Sequence, residues 1–271
     1  MKKTAALLAL LLSGTALAWA DPPTVYTGEL TWIEIRDAVQ AGKTTIIVPI
    51  GGTEQSGPHI ALNKHNLRVR FFAGRIAAAL GNALVAPVLA YVPEGSINPP
   101  TGHMRFAGTM TIPESTFEEI LVSTGGGFKA QGFKDIVFIG DHGGYQKSMK
   151  RAAATLNREW TGSPARAYAI EEYYATIDRD YKDALRAKGF TDAEIGVHAG
   201  LADTSLMLAI DPSLVRMDKM KSAGGDKGNG VNGDPAKSSS ALGKIGVDLV
   251  VKNTVDAIKR DVGRREASPA K

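Results

Sequence analysis

Two hydrophobic rhythms alternate along the chain. Residues 44–50 (Thr-Thr-Ile-Ile-Val-Pro-Ile) form a continuous apolar, β-branched run. Such a run reads as a strand buried on both faces. Residues 83–92 and 135–140 repeat the pattern, and 165–170 is a weaker copy. Between and after them, 68–80, 145–158, 173–188, 198–210 and 241–260 carry apolar residues at helical spacing. A further helix opens at Pro113-Glu114-Ser115, with proline at an early position, and runs toward Phe128. Gly125-Gly126-Gly127 should end it early, at about 1 kcal/mol per glycine relative to alanine. Strands alternating with helices predict an α/β fold, a single three-layer α/β/α sandwich with a mainly parallel sheet. Residues 93–108 read as a long Gly/Pro loop. The 224–233 stretch, with five glycines in ten residues, reads as a mobile connection or lid.

The N-terminus changes the compartment. Lys2 and Lys3 precede a short apolar core, and Ala18-Trp19-Ala20 offers a small-x-small cleavage site. Residues 1–20 are expected to be a secretory signal peptide, leaving one domain over 21–271 that is periplasmic or secreted. The apolar core is too short to span a bilayer, so no membrane association is expected after cleavage. The chain has no cysteine. An exported domain of this size can rely on its core alone, and thiolate ligands and a cysteine nucleophile are excluded. Loss of Lys2 and Lys3 lowers the formal charge from +4 to +2. The remaining basic residues are scattered without an aromatic-interleaved stripe, which argues against nucleic acid as a partner.

The candidate chemistry sits in glycine-rich loops. Gly51-Gly52-Thr53-Glu54-Gln55-Ser56-Gly57-Pro58-His59 follows the first strand and runs on to His65, while His142 leaves a different strand. In a parallel sheet the strand C-terminal ends share one edge, so Glu54, His65 and His142 can converge there. One carboxylate and two imidazoles suit a catalytic metal with a position left for water, which the ion would acidify to supply hydroxide. The same residues could instead merely cap turns. His59 and His103 are either pocket residues or ordinary loop histidines. His198 and Asp203, five residues apart, lie about 140° apart on a regular helix and can meet one ligand only if His198 precedes the helix. Ser205 lacks a nucleophile-elbow context, which disfavours a serine hydrolase.

These motifs resemble those of the creatininase (creatinine amidohydrolase) family. Glu54-Gln55-Ser56-Gly57-Pro58-His59 resembles the family's Glu-Gln-His-Gly-Pro-His, and Ile60 to His65 its Leu-Pro-Leu-x-Thr-Asp. His103-Met104-Arg105-Phe106-Ala107-Gly108-Thr109 resembles His-x-x-Phe-Pro-Gly-Thr. Gly140-Asp141-His142-Gly143-Gly144-Tyr145 resembles Asn-Gly-His-Gly-Gly-Asn. His198-Ala199-Gly200-Leu201-Ala202-Asp203-Thr204-Ser205 resembles His-Ala-Gly-Glu-x-Glu-Thr-Ser. The resemblance covers nearly all of 21–271 and implies metal-dependent hydrolysis of a small-molecule amide by a homo-oligomer, often a hexamer.

The departures shape the expectation. Where the family has a bridging aspartate between paired metals, this chain has His65, and the second metal's own ligands are replaced by Ser56 and Gly144. A neutral imidazole cannot bridge two dications as a carboxylate can. The expected site is therefore one zinc ion on Glu54, His65 and His142, with manganese or iron compatible with the same donors. His198 is the expected proton shuttle and Asp203 its partner or a water-orienting group. Ser56, His59 and His103 are expected to contact substrate. The reaction would be C–N cleavage of an amide or cyclic amide. Two alternatives stand beside it: a non-catalytic binding protein that keeps the fold, and a two-metal enzyme that recruits Asp141 or Asp203.

Overall fold

A computed structural model describes residues 22–225 and 228–267. The expected signal peptide, 1–20, lies outside the described residues. Four parallel strands, β1 (Thr45–Ile50), β2 (Ala83–Val85), β3 (Asp135–Gly140) and β4 (Arg166–Ala169), form one sheet in the order β2-β1-β3-β4. Pairing is in step, Ile47 opposite both Val85 and Val137.

All six residues of β1 and of β3 are buried, because each face of the sheet carries its own core. Side chains alternate across a strand. Ile46, Val48, Ile50, Ile136 and Phe138 point to one core, and Ile47, Val137 and Ile139 to the other. The first core is closed by α1 (Trp32–Gln40), α3 (Glu114–Ala130) and α4 (Gln146–Glu159), through Ala38, Phe117, Leu121, Met149 and Leu156. The second is closed by α2 (Lys64–Leu80), by α8 (Leu201–Ile210) and by α10 (Ser240–Ala267), through Val69, Phe72, Leu206 and Val250. Shorter helices complete the chain: α5 (Glu172–Ala175), α6 (Tyr181–Arg186), α7 (Asp192–Ile195) and α9 (Met217–Met220). The sandwich is the three-layer α/β/α arrangement expected. No described helix is long and apolar enough to cross a membrane.

Three expectations are corrected. The glycine triplet does not end α3, which continues to Ala130. Gly125 lies against α4 so closely that a Cβ there would stand 2.5 Å from Leu156 Cδ1. Close packing thus offsets the poor helix propensity of glycine. The 83–92 strand shrinks to Ala83–Val85, and Pro87, which has no N–H for a ladder, stands two residues beyond its end. The 173–188 helix is broken by a π-helical turn at Thr176–Asp180 between α5 and α6.

The layers place the chemistry. The segments that leave the C-terminal ends of β1, β2 and β3 open on one edge of the sheet and carry Glu54, Glu94 and His103, and His142. α8 begins at Leu201, so His198 lies in the loop before it, as its pairing with one ligand requires.

Candidate metal centre

Glu54 is the hub. It leaves β1 in a loop fastened on both sides: Gly52 N donates to Asn66 Oδ1, and Gln55 N donates to Thr109 Oγ1. Its side chain is fully buried, and its two oxygens face different neighbours. Oε1 lies 2.6 Å from His65 Nε2 and 3.3 Å from Lys64 Nζ. Oε2 lies 3.2 Å from His103 Nε2 and 3.3 Å from His142 Nε2, yet accepts no well-formed hydrogen bond. Glu94 stands beside them, with Oε2 3.5 Å from His142 Nε2, and neither of its buried oxygens has a hydrogen-bond partner.

Buried carboxylate oxygens without donors are costly, and a cation is a natural remedy. Glu54, Glu94, His103 and His142 each offer one donor atom, and all four atoms lie within 4.8 Å of one another. Two carboxylates and two imidazoles suit zinc, manganese or iron. The residues therefore fit a divalent metal.

The electrostatics agree. Burial alone would raise the Glu54 carboxyl, but His65 and Lys64 hold it far below the usual carboxylate range. Burial, and then the charge of Glu54, push Glu94 up to about 9. Burial lowers His103 below the usual imidazole value. Burial, and then the Lys64 ammonium, push His198 down to about 3, so its ring is neutral at pH 7.

The expected trio of Glu54, His65 and His142 is not the set whose donors converge. His65 Nε2 faces Glu54 and its Nδ1 lies 2.6 Å from Asp141 Oδ2. Both nitrogens of His65 are engaged by carboxylates, and neither belongs to the group of four converging donor atoms. His65 thus fixes Glu54 from behind. Asp141 in turn accepts from Tyr173 Oη at 2.6 Å and from Arg68 Nε at 2.7 Å.

His103, expected to touch substrate, instead stands in the donor set. His198 faces the same space, with Nδ1 3.6 Å from Glu54 Oε1 and its ring 4.6 Å from that of His103. Its Nε2 lies 2.9 Å from the Gln55 backbone oxygen, so an N–H there leaves Nδ1 bare toward the pocket. Asp203 is not placed as its partner: its carboxylate takes Arg68 NH1 at 2.7 Å, the Ala199 N–H at 2.9 Å and Lys64 Nζ at 3.3 Å. Ala199 adopts a positive φ of 52° to aim that N–H. Ser56 and His59 do not line the pocket. Both are fully buried, and His59 Nε2 is spent on Thr204 Oγ1 at 2.9 Å.

The cavity above these residues measures about 240 Å³ and is walled by Tyr174, Ile177, Ile195 and Val197 among others. The glycine-rich stretch is tied in at its described end: Gln55 Nε2 donates to the Gly230 carbonyl at 3.2 Å and lies 3.0 Å from His103 Nδ1. Asn232 pairs with His198 through the backbone.

Sequence reasoning missed Glu94, Lys64, Arg68 and Gln55. Glu94 carries the same signal as Glu54, a carboxylate where an apolar run ends, but it sits inside a stretch whose glycines and prolines mark a loop. Lys64 and Arg68 occupy the buried face of α2.

The model of the creatininase family (creatinine amidohydrolase) matches residues 28–258. The chain belongs to the creatininase family. A creatinine amidohydrolase of Pseudomonas putida is 29% identical over 202 residues, 73% of this chain and 76% of the relative. A mycofactocin precursor peptide peptidase of Mycolicibacterium smegmatis is 28% identical over 226 residues, covering 79% and 84%. A solved manganese creatininase superposes with a TM-score of 0.73 at 24% identity, over 88% of this chain and 99% of its own. A Zn–Zn form of a creatininase variant gives 0.71 at 24% identity, over 89% and 99%. Those structures establish the shared fold.

Proposed function

We propose that this protein is an exported hydrolase of a C–N bond in a small-molecule amide or cyclic amide, dependent on one divalent metal ion. The observation that carries the reading is the group of orphaned carboxylate oxygens on Glu54 and Glu94, facing two imidazole nitrogens at the floor of a pocket. Glu54, Glu94, His103 and His142 would hold the ion. When bound, it supplies Lewis acidity, polarising an amide carbonyl and lowering the pKa of a water.

The chain's own residues do the rest. His65, clamped between Glu54 and Asp141, keeps the Glu54 carboxylate in one orientation. Neutral His198 presents Nδ1 to the pocket and can take a proton there and return it to a leaving amine. Gln55 holds both rings in register: its side-chain Nε2 lies 3.0 Å from His103 Nδ1 and its backbone oxygen 2.9 Å from His198 Nε2. Ile177 and Ile195 give one wall of the pocket an apolar surface. Two relatives are named for action on creatinine and on a peptide, and both of those substrates carry an amide bond. The N-terminal twenty residues support action in the periplasm or outside the cell.

The test uses metal-depleted protein and a panel of small amides, cyclic amides and short peptides. Hydrolysis should vanish with a chelator and return with zinc or manganese. Glu94→Gln should lower metal affinity by at least about tenfold. Activity that survives complete metal removal, or a Glu94→Gln protein with unchanged affinity, would overturn the reading.

A further inference from the structure

Lys64 is only 1% exposed, at the first position of α2. Its Nζ lies 3.3 Å from Glu54 Oε1 and 3.3 Å from Asp203 Oδ2. Both contacts exceed the usual 2.7–2.9 Å of a charge-assisted hydrogen bond. The ammonium is thus suspended between two carboxylates rather than seated on either. A third donor borders the same space, His198 Nδ1, 3.6 Å from Glu54 Oε1.

Glu54 therefore looks onto two cation positions. Oε2 faces Glu94, His103 and His142, the set proposed above to hold the metal. Oε1 faces Lys64, with Asp203 and His198 beyond. The second position has the donor types of the first, carboxylate and imidazole. Its surroundings already carry cations: Glu54, Asp141 and Asp203 face Lys64 and Arg68, with the His65 ring between Glu54 and Asp141.

We propose that the Lys64 ammonium is a built-in cation that fills a second metal position, so that the centre holds one ion instead of two. This rests on the proposed metal reading at the Oε2 side. A dication beside Lys64 would meet both its volume and its charge. With Lys64 shortened, Glu54 Oε1, Asp203 Oδ2 and His198 Nδ1 would be left around an empty, negatively charged place.

The experiment compares the full-length wild type with Lys64→Thr and Lys64→Ala, each metal-depleted and then equilibrated with zinc or manganese chloride. Metal per chain is read by elemental analysis and calorimetric titration, and folding by circular dichroism. The wild type should bind one equivalent and each variant two, with the added ion lost again when Asp203→Asn is combined with Lys64→Thr. Folded variants that still bind one equivalent overturn the proposal, as does a wild type that binds two. A wild type that binds none removes the metal reading as well. Should neither variant fold, manganese-soaked wild-type crystals decide: one anomalous peak on the Oε2 side with Lys64 in place supports the proposal, and a peak at the Lys64 position overturns it.

Discussion

Replacing Arg68 by methionine should cost about 3–5 kcal/mol of stability, the usual penalty for removing one partner of a buried ion pair. Arg68 is 1% exposed, and its guanidinium joins two elements: Nε donates to Asp141, at the end of β3, and NH1 to Asp203, on α8. Neither carboxylate would be abandoned. Asp141 keeps Tyr173 and His65, and Asp203 keeps Lys64 and the Ala199 N–H. The lower end of the range, about 3 kcal/mol, follows. At this chain length that is a melting-temperature drop of roughly 6–12 °C. Thermal and urea unfolding at pH 7.5 measure it, with Arg68→Lys intermediate because an ammonium keeps the charge but not the planar fork. The pH dependence has a definite sign. Burial would raise both aspartates, but Arg68, with Lys64 at Asp203, holds them below the ordinary value. A lowered carboxyl contributes fully above its unfolded pKa of about 3.9 and loses that contribution as pH falls through the folded pKa. The gap between wild type and Arg68→Met should therefore narrow below about pH 4. A loss under about 1 kcal/mol at pH 7.5, or a gap indifferent to pH, would refute the role given to this guanidinium.

Two further outcomes follow from the geometry. Gly230→Ala should reduce hydrolysis and metal affinity, each by at least about tenfold, because a Cβ there would stand 1.9 Å from Gln55 Oε1 at a φ of +82° and displace the amide beside His103. Steady-state rates and metal analysis on the variant check it. Burial pushes His59 down to about 4, so the folded protein keeps it neutral while the unfolded chain protonates near 6.5. Stability should fall as pH drops from 6.5 toward 4, with about 3 kcal/mol of that loss due to His59. In His59→Gln, urea midpoints between pH 7 and 4.5 should fall less steeply than in the wild type, and parallel curves would contradict the assignment.

The fold was legible because its signals are local. The apolar runs at 44–50 and 135–140 became β1 and β3 nearly to the residue, since strands buried on both faces need no polar alternation. Where tertiary contact overrode local preference, reading failed: α3 passes through its glycines, and Leu156 packs into the space that Gly125 leaves. The site was legible in its parts. Glu54 and His142 reach one place because strand ends share an edge. His103 rather than His65 stands in the converging donor group, because spacing along a chain does not reveal which carboxylates a ring meets. His65 found Asp141, 76 residues away, and was tied at both nitrogens. Glu94 and Lys64 gain their meaning only from burial, which the sequence of a loop and of a helix start does not display.

The central claim is that one divalent ion on Glu54, Glu94, His103 and His142 drives amide hydrolysis. The most direct test is to add zinc in fractions of an equivalent to metal-depleted protein and follow hydrolysis across the amide panel. No turnover is expected without metal, followed by a linear rise and a plateau at one ion per chain. Turnover in the metal-free protein, a plateau only at two, or a zinc-loaded chain that hydrolyses none of the amides would contradict it.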